Sequence, residues 1–274
     1  MFIVRRVNMD AQIELFRKQL PLQVKLREIV RLIGPLENKT CLDVGLDDPL
    51  VSRQLRRRGG TWHTVVRQEA IRPSVLEAVG ERVELYDGYS MPFDDKTFDI
   101  VVVSDFLEHV KDDSALITES HRVLKSTGEL IVHVPRAKRW TALKPFETLF
   151  GVTHQKADRQ HAGYTEAELF HLLKQGFDVH SVRSYSKFFV ELVDMIADSR
   201  VQRLLDSSHE HVLRVYAHLY PFYWLAYQLD SLLFFTRGYY LVAKALRHPW
   251  RARKAPILND GRSISEVVLR RIKD

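Results

Sequence analysis

The chain of 274 residues contains one cysteine, Cys41, so no disulfide forms within it. That excludes the disulfide-stapled class of small secreted domains and fits a reducing compartment. Glycine and proline are also sparse, at 12 and 10 residues, which excludes collagen-like and low-complexity chains. No uninterrupted apolar run is long enough to span a bilayer, which takes about 20 mostly apolar residues. The most apolar stretch, 219–246, is cut by Pro221, Asp230, Arg237 and Gly238. The opening, MFIVRRVNMDAQIELF, turns amphipathic at once and does not read as a secretory signal, so the expected location is cytoplasmic. A P-loop, paired zinc ligands and a G-x-S-x-G elbow are all missing. What is present, 45% apolar and 28% charged residues, suffices for one large core with an elaborate insertion.

The net charge of +6 is unevenly placed. Residues 237–274 hold ten Lys/Arg and three Asp/Glu, leaving 31 basic and 32 acidic side chains before them. The basic excess is thus a property of the C-terminal end, and no nucleic-acid partner is expected. That end reads either as a solvated terminus or as a contact to an anionic membrane surface, peripheral to the inner face of a membrane.

Apolar positions at helical spacing over 10–33, interrupted at Pro21, predict two short helices ending at Gly34-Pro35. Strands are predicted at 40–45, 62–66, 82–86, 98–103, 128–134, 177–185 and 239–246. Helices fall between them, at 49–58, 71–79 and 112–125, and from Thr165 to Gln175 with a Thr165/Glu168 capping box. This alternation predicts a doubly wound, mostly parallel, seven-stranded α/β sheet with a helical insertion before the last strand. The expected organisation is N-terminal helices over 1–35, an α/β core over 36–187, an aromatic-rich helical lid over 188–236, the last strand over 237–248 and a basic tail over 249–274.

The segment Asp87-Gly-Tyr-Ser-Met-Pro-Phe-Asp-Asp-Lys-Thr-Phe-Asp-Ile-Val-Val-Val-Ser-Asp-Phe-Leu-Glu-His-Val110 resembles the region around the fourth strand of class I S-adenosylmethionine-dependent methyltransferases. The likeness continues through Arg122-Val-Leu-Lys-Ser-Thr-Gly-Glu-Leu-Ile-Val132 and His161-Ala-Gly-Tyr-Thr165, and covers about 40–186. It implies S-adenosylmethionine as cofactor, bound beyond the carboxyl ends of the strands where their order switches. Carried over onto matching positions, it assigns cofactor contacts to Asp43 and Gly45 after the first strand. It assigns Asp87 and Gly88 to the adenine side, and Ser104 and Asp105 to the end of the fourth strand. Gly45 also reads as a turn glycine, Asp87 as a turn former, and Asp105 as a helix N-cap. Asp43 would orient the turn or reach the cofactor's ammonium through water.

Two departures accompany the likeness. The family's Asp-x-Gly-x-Gly-x-Gly loop reads Asp43-Val-Gly-Leu-Asp-Asp-Pro49 here, and the ribose-binding acid at the end of the second strand is replaced by Arg67-Gln68, with Glu69 as the nearest substitute. Losing a charged bidentate contact to a diol weakens binding by about 1–3 kcal/mol. The family works by holding the sulfonium methyl in line with a nucleophile. His109 is the expected catalytic base, with His133, His154, His161 and Tyr164 as other candidates. His154, Asp158 and His161 have no trusted metal-ligand spacing, so no metal is expected. Cys41, on a buried strand, is a poor nucleophile.

The expected function is methyl transfer from S-adenosylmethionine to an amphiphilic small molecule such as a lipid, glycolipid or saccharide precursor. The alternative is a catalytically degenerate methyltransferase fold kept for binding or scaffolding. The aromatics of 188–236 (Tyr216, Tyr220, Phe222, Tyr223, Trp224, Tyr227, Phe234 and Phe235) read as a lid over an apolar acceptor or as ordinary core. A third reading makes them an interfacial patch flanked by Arg237, Lys244, Arg247, Arg251, Arg253 and Lys254.

Overall fold

A computed structural model describes residues 9–45, 49–86, 89–137, 142–150, 160–203 and 209–250. Two helices lead in, α1 (Met9–Lys18) and α2 (Leu20–Leu32). The break falls at Gln19, and Pro21 sits in the first turn of α2, where a missing N–H goes unused. Then follow β1 (Thr40–Val44), α3 (Pro49–Arg56), β2 (Thr61–Val66), α4 (Arg72–Val79), β3 (Val83–Leu85) and β4 (Phe98–Ser104). A single 3-10 turn, Leu107–His109, separates β4 from α5 (Asp113–Val123) and β5 (Leu124–Pro135). The chain continues through α6 (Lys144–Phe150), α7 (Glu166–Leu173), β6 (Phe177–Tyr185), α8 (Phe188–Gln202), α9 (His209–Leu232) and β7 (Tyr240–Arg247).

The strands form one seven-stranded sheet in the order β3-β2-β1-β4-β5-β7-β6. All pairings among β1 to β5 are parallel, and β7 runs antiparallel to both β5 and β6. The strand order therefore switches between β1 and β4, the place where such sheets open a ligand crevice. The central strands are near-continuous Val/Ile/Leu runs because helices cover both faces. One core packs Leu42, Val101, Val103, Leu130 and Val132 against α5 and α7, and another packs Cys41, Ile100, Val102 and Ile131 against α2 and α3.

The local signals act as expected at α7, where Thr165 and Glu168 form a reciprocal capping box. At α5 the N-cap is Asp112, whose Oδ1 accepts from the Ala115 N–H at 2.9 Å. β5 starts four residues earlier than its apolar run suggests, because Leu124 pairs with Phe98 across a register shift. α9 runs through Pro221 unbroken. No helix among the described residues is long and apolar enough to cross a membrane.

Candidate functional site

The carboxyl ends of β1, β4, β5 and β6, with the first residue of the antiparallel β7, lie along one edge of the sheet. At the end of β1, Asp43 is fully buried, and its Oδ2 accepts from the Ser52 hydroxyl and from Arg56 Nη1, the latter at 2.9 Å. Arg56 is fixed in turn by Thr64 Oγ1 at 2.6 Å. The other oxygen, Asp43 Oδ1, is buried and accepts no hydrogen bond. Gly45 has φ +75, a left-handed conformation, and a Cβ there would stand 2.1 Å from Phe106 Cδ2. Glycine is needed here on both counts, since the Phe106 ring closes directly over the end of β1.

At the end of β2, Glu69 is exposed and lies 3.5 Å from Arg72 Nη1, one turn along its own chain. Arg67 instead reaches across the end of β1 to the loop after β4, with Nη1 3.5 Å from the His109 carbonyl oxygen. His109 itself is buried, its Nε2 4.0 Å from Glu108 Oε1. Asp87 and Gly88 lie outside the described residues, as do His154, Asp158 and the middle of the first loop.

The densest polar cluster stands at the end of β4. Asp105 has φ +50 and caps no helix, correcting the N-cap expectation. Its Oδ2 takes the Lys25 ammonium, delivered by α2, and its Oδ1 lies 3.0 Å from His133 Nδ1. Ser104 Oγ stands 3.4 Å from the same nitrogen. On the far side of the ring, His133 Nε2 is 2.5 Å from the Tyr185 hydroxyl at the end of β6. Tyr240 stacks on both His133 and Tyr185.

The charge states follow from these contacts. Burial pushes the Asp105 carboxyl up, but the Lys25 ammonium and His133 beside it more than reverse this and hold it well below the usual carboxylate range. Burial pushes His133 down, incompletely offset by Asp105, so the ring is neutral near pH 7. Because a carboxylate only accepts, His133 keeps its proton on Nδ1 and offers the Nε2 lone pair to the Tyr185 O–H. Burial, then Asp105, Glu191 and Glu28, raise Tyr185 well above the ordinary phenol range. His133 is sealed, while the Asp105 side chain remains 25% exposed. Lys25, Asp105, His133 and Tyr185 thus form one connected polar chain at the carboxyl ends of β4, β5 and β6.

Only part of this was visible in advance. Asp43, Gly45, Ser104 and Asp105 gather at neighbouring strand ends, whereas the Glu69 side chain turns to Arg72. Lys25 and Tyr185 carried no motif, since they stand 80 residues from Asp105 and 52 from His133 respectively. The extended β6 signal placed Tyr185 at a strand end, and nothing local marked Lys25. Among the described residues no group of three or more His, Cys, Asp or Glu side chains is placed to hold a metal ion.

Residues 42–132, from β1 to β5, match the family model described as a methyltransferase domain. The core has the class I methyltransferase fold. Over 111 residues the chain is 30% identical to the ubiquinone/menaquinone biosynthesis C-methyltransferase UbiE of Paraburkholderia phymatum, covering 38% of this chain and 45% of that one. The chain spans less than half the length of the curated relatives it matches.

Among solved structures, geranyl diphosphate C-methyltransferase of Streptomyces coelicolor superposes with a TM-score of 0.53 at 14% identity, over 82% of this chain and 76% of that one. The [4+2]-cyclase SpnF superposes with a TM-score of 0.57 at 16% identity, over 84% and 82%. At such identities the likeness is one of fold, and the cyclase shows that the methyltransferase fold hosts other chemistry.

Proposed function

We propose that the chain transfers a methyl group from S-adenosylmethionine to a hydroxyl-bearing amphiphilic small molecule, a lipid, glycolipid or saccharide precursor. The observation that carries this is the Asp105–His133–Tyr185 chain beside the switch between β1 and β4. Two features at the end of β1 fit a cofactor: the left-handed backbone of Gly45 and the orphaned Asp43 Oδ1. Asp43, Gly45, Ser104 and, by resemblance, Asp87 and Gly88 would hold it. Bound there, S-adenosylmethionine supplies an electrophilic methyl on a positively charged sulfur.

The residues of the chain then handle the proton. Lys25 keeps Asp105 ionised, and Asp105 locks the His133 tautomer. As the acceptor's oxygen takes the methyl, its proton passes to Tyr185, while the Tyr185 proton moves to His133 Nε2. The resulting imidazolium is stabilised by Asp105, which stays ionised, in the manner of an aspartate-oriented histidine. On this reading the base is His133 with Tyr185 in place of the expected His109, whose side chain is buried in the 3-10 turn after β4. An apolar acceptor is supported by the Leu143, Phe146, Phe188, Leu192 and Tyr239 cluster, next in sequence to Tyr240. The UbiE relative is, by its name, a C-methyltransferase of ubiquinone and menaquinone biosynthesis.

Arg67 favours a second reading, a binding module without catalysis, because its guanidinium crosses the end of β1 while Glu69 faces Arg72. Titration calorimetry with S-adenosylmethionine separates the two. Micromolar binding weakened by Asp87→Ala supports the enzyme, and no heat at millimolar cofactor leaves the binding module.

A further inference from the structure

The second half of α9 is apolar on two opposite faces. Tyr216, Leu219, Tyr223 and Ala226 pack inward, the first three in the core against α8. Phe222, Trp224, Leu225 and Leu232 point outward, and the turn after the helix adds Phe234 and Phe235, 84% and 73% exposed. From Tyr220 to Thr236 the one charged side chain is Asp230, and it is turned inward, accepting the Lys187 and Phe189 N–H groups at 2.8 Å each. A surface of this size without an exposed charge marks an interaction site.

Cations stand at its rim. Lys18 lies over the Tyr220 ring at 5.4 Å, and Arg27 lies over the Tyr227 ring at 5.1 Å and donates to its hydroxyl at 2.6 Å. Arg237, two-thirds exposed and paired with Glu166 Oε2 at 3.3 Å, follows the turn. Lys244 and Arg247, two of the cations expected to flank it, do not belong to the patch. β7 carries the chain across the sheet to the opposite edge, Lys244 is held by Glu129 and the Leu32 carbonyl, and Arg247 by the His121 carbonyl. Arg251, Arg253 and Lys254 lie outside the described residues.

We infer that the outer face of α9 and the Phe234-Phe235 turn form a wedge that docks in the headgroup layer of an anionic membrane. Phe, Trp and Tyr side chains bracketed by Lys and Arg suit that layer, where apolar rings enter the acyl boundary and cations meet lipid phosphate. A two-fold pairing of this face with a second copy is less suited, since it would set like-charged rims of Lys18, Arg27 and Arg237 against each other. The patch also adjoins the crevice. Asp230 holds the residues that follow β6, and the Tyr239 N–H returns to the Tyr185 carbonyl at 3.0 Å. A docked membrane would therefore stand beside the crevice edge that carries Tyr185.

Flotation of the full chain with phosphatidylcholine vesicles, with and without phosphatidylglycerol, tests this without reference to catalysis. The expected result is binding to the anionic vesicles, lowered about tenfold by Phe234→Ser with Phe235→Ser while the thermal unfolding midpoint stays in place. Unchanged binding by the double variant would hand the interaction to the basic tail and overturn the proposal. So would the absence of binding, or a wild-type dimer in sedimentation that the double variant converts to monomer.

Discussion

Replacing Asp105 with asparagine keeps the shape of the side chain and removes its charge, which isolates what that charge does. Lys25 then remains largely sealed, with 11% of its side chain exposed and the Asp105 charge beside it removed. Breaking a buried pair by removing one member costs about 3–5 kcal/mol. The 25% exposure of Asp105 lets water screen part of that, so the expected loss is about 2–3 kcal/mol at pH 7. The sign with pH follows from the carboxyl's depressed pKa in the folded state. Its stabilisation is complete above the unfolded value of about 3.9 and is lost as pH falls toward the folded value. Urea unfolding of wild type and variant should differ by a constant amount from pH 8 to about pH 7, above the range where His133 titrates, and the gap should close in strong acid as the carboxyl is protonated. Turnover should fall by a factor of about 100 to 10,000, because the amide fixes the His133 tautomer poorly and cannot balance an imidazolium. Cofactor affinity should hold. A gap under about 1 kcal/mol, or one that persists in acid, refutes the ion-pair reasoning. A loss of cofactor affinity with turnover of bound enzyme intact would return Asp105 to cofactor binding and refute the proton path.

Two further outcomes follow from the packing at β1. Gly45→Ala should destabilise the fold by about 2–4 kcal/mol in urea, summing a left-handed residue and a Cβ driven into the Phe106 ring, and Phe106→Leu should recover part of that loss. Cys41, its thiol pushed up to about 12 by burial and then by Asp99, should stay unreactive to an aromatic disulfide reagent at pH 8 and react fully once the chain is unfolded; fast labelling of the folded protein would contradict its burial.

The fold was legible because its signals are local. Apolar runs of strand length, a Thr165/Glu168 capping box and helices between strands need only short windows of sequence, and the sheet they imply is the one present. The β5 start was missed because Lys125, Ser126 and Thr127 are polar, and only pairing with β4 draws Leu124 into the ladder. The aromatics of α9 showed a helix but not which way each ring points. Tyr216 and Tyr223 went into the core, while Phe222 and Trp224 went outward, because α8 and α1 pack on one face alone.

The site divides along the same line. Residues at strand ends, Asp43, Gly45, Ser104 and Asp105, are named by position in an alternating α/β pattern, since a parallel sheet must bring its carboxyl ends to one edge. Their partners are set by contacts between distant parts of the chain. Lys25 reaches Asp105 because α2 lies across the sheet, Tyr185 reaches His133 because β7 brings β6 alongside β5, and Arg67 reaches the His109 carbonyl across the end of β1. The sequence by itself determined the alternating core, the absence of an internal disulfide and the edge where a ligand would enter. Only the tertiary structure decided which charges are paired, which imidazole carries an oriented lone pair and which face of α9 is left to an outside partner. Pairing and burial depend on approach through space, and the order of residues along the chain does not encode that approach locally.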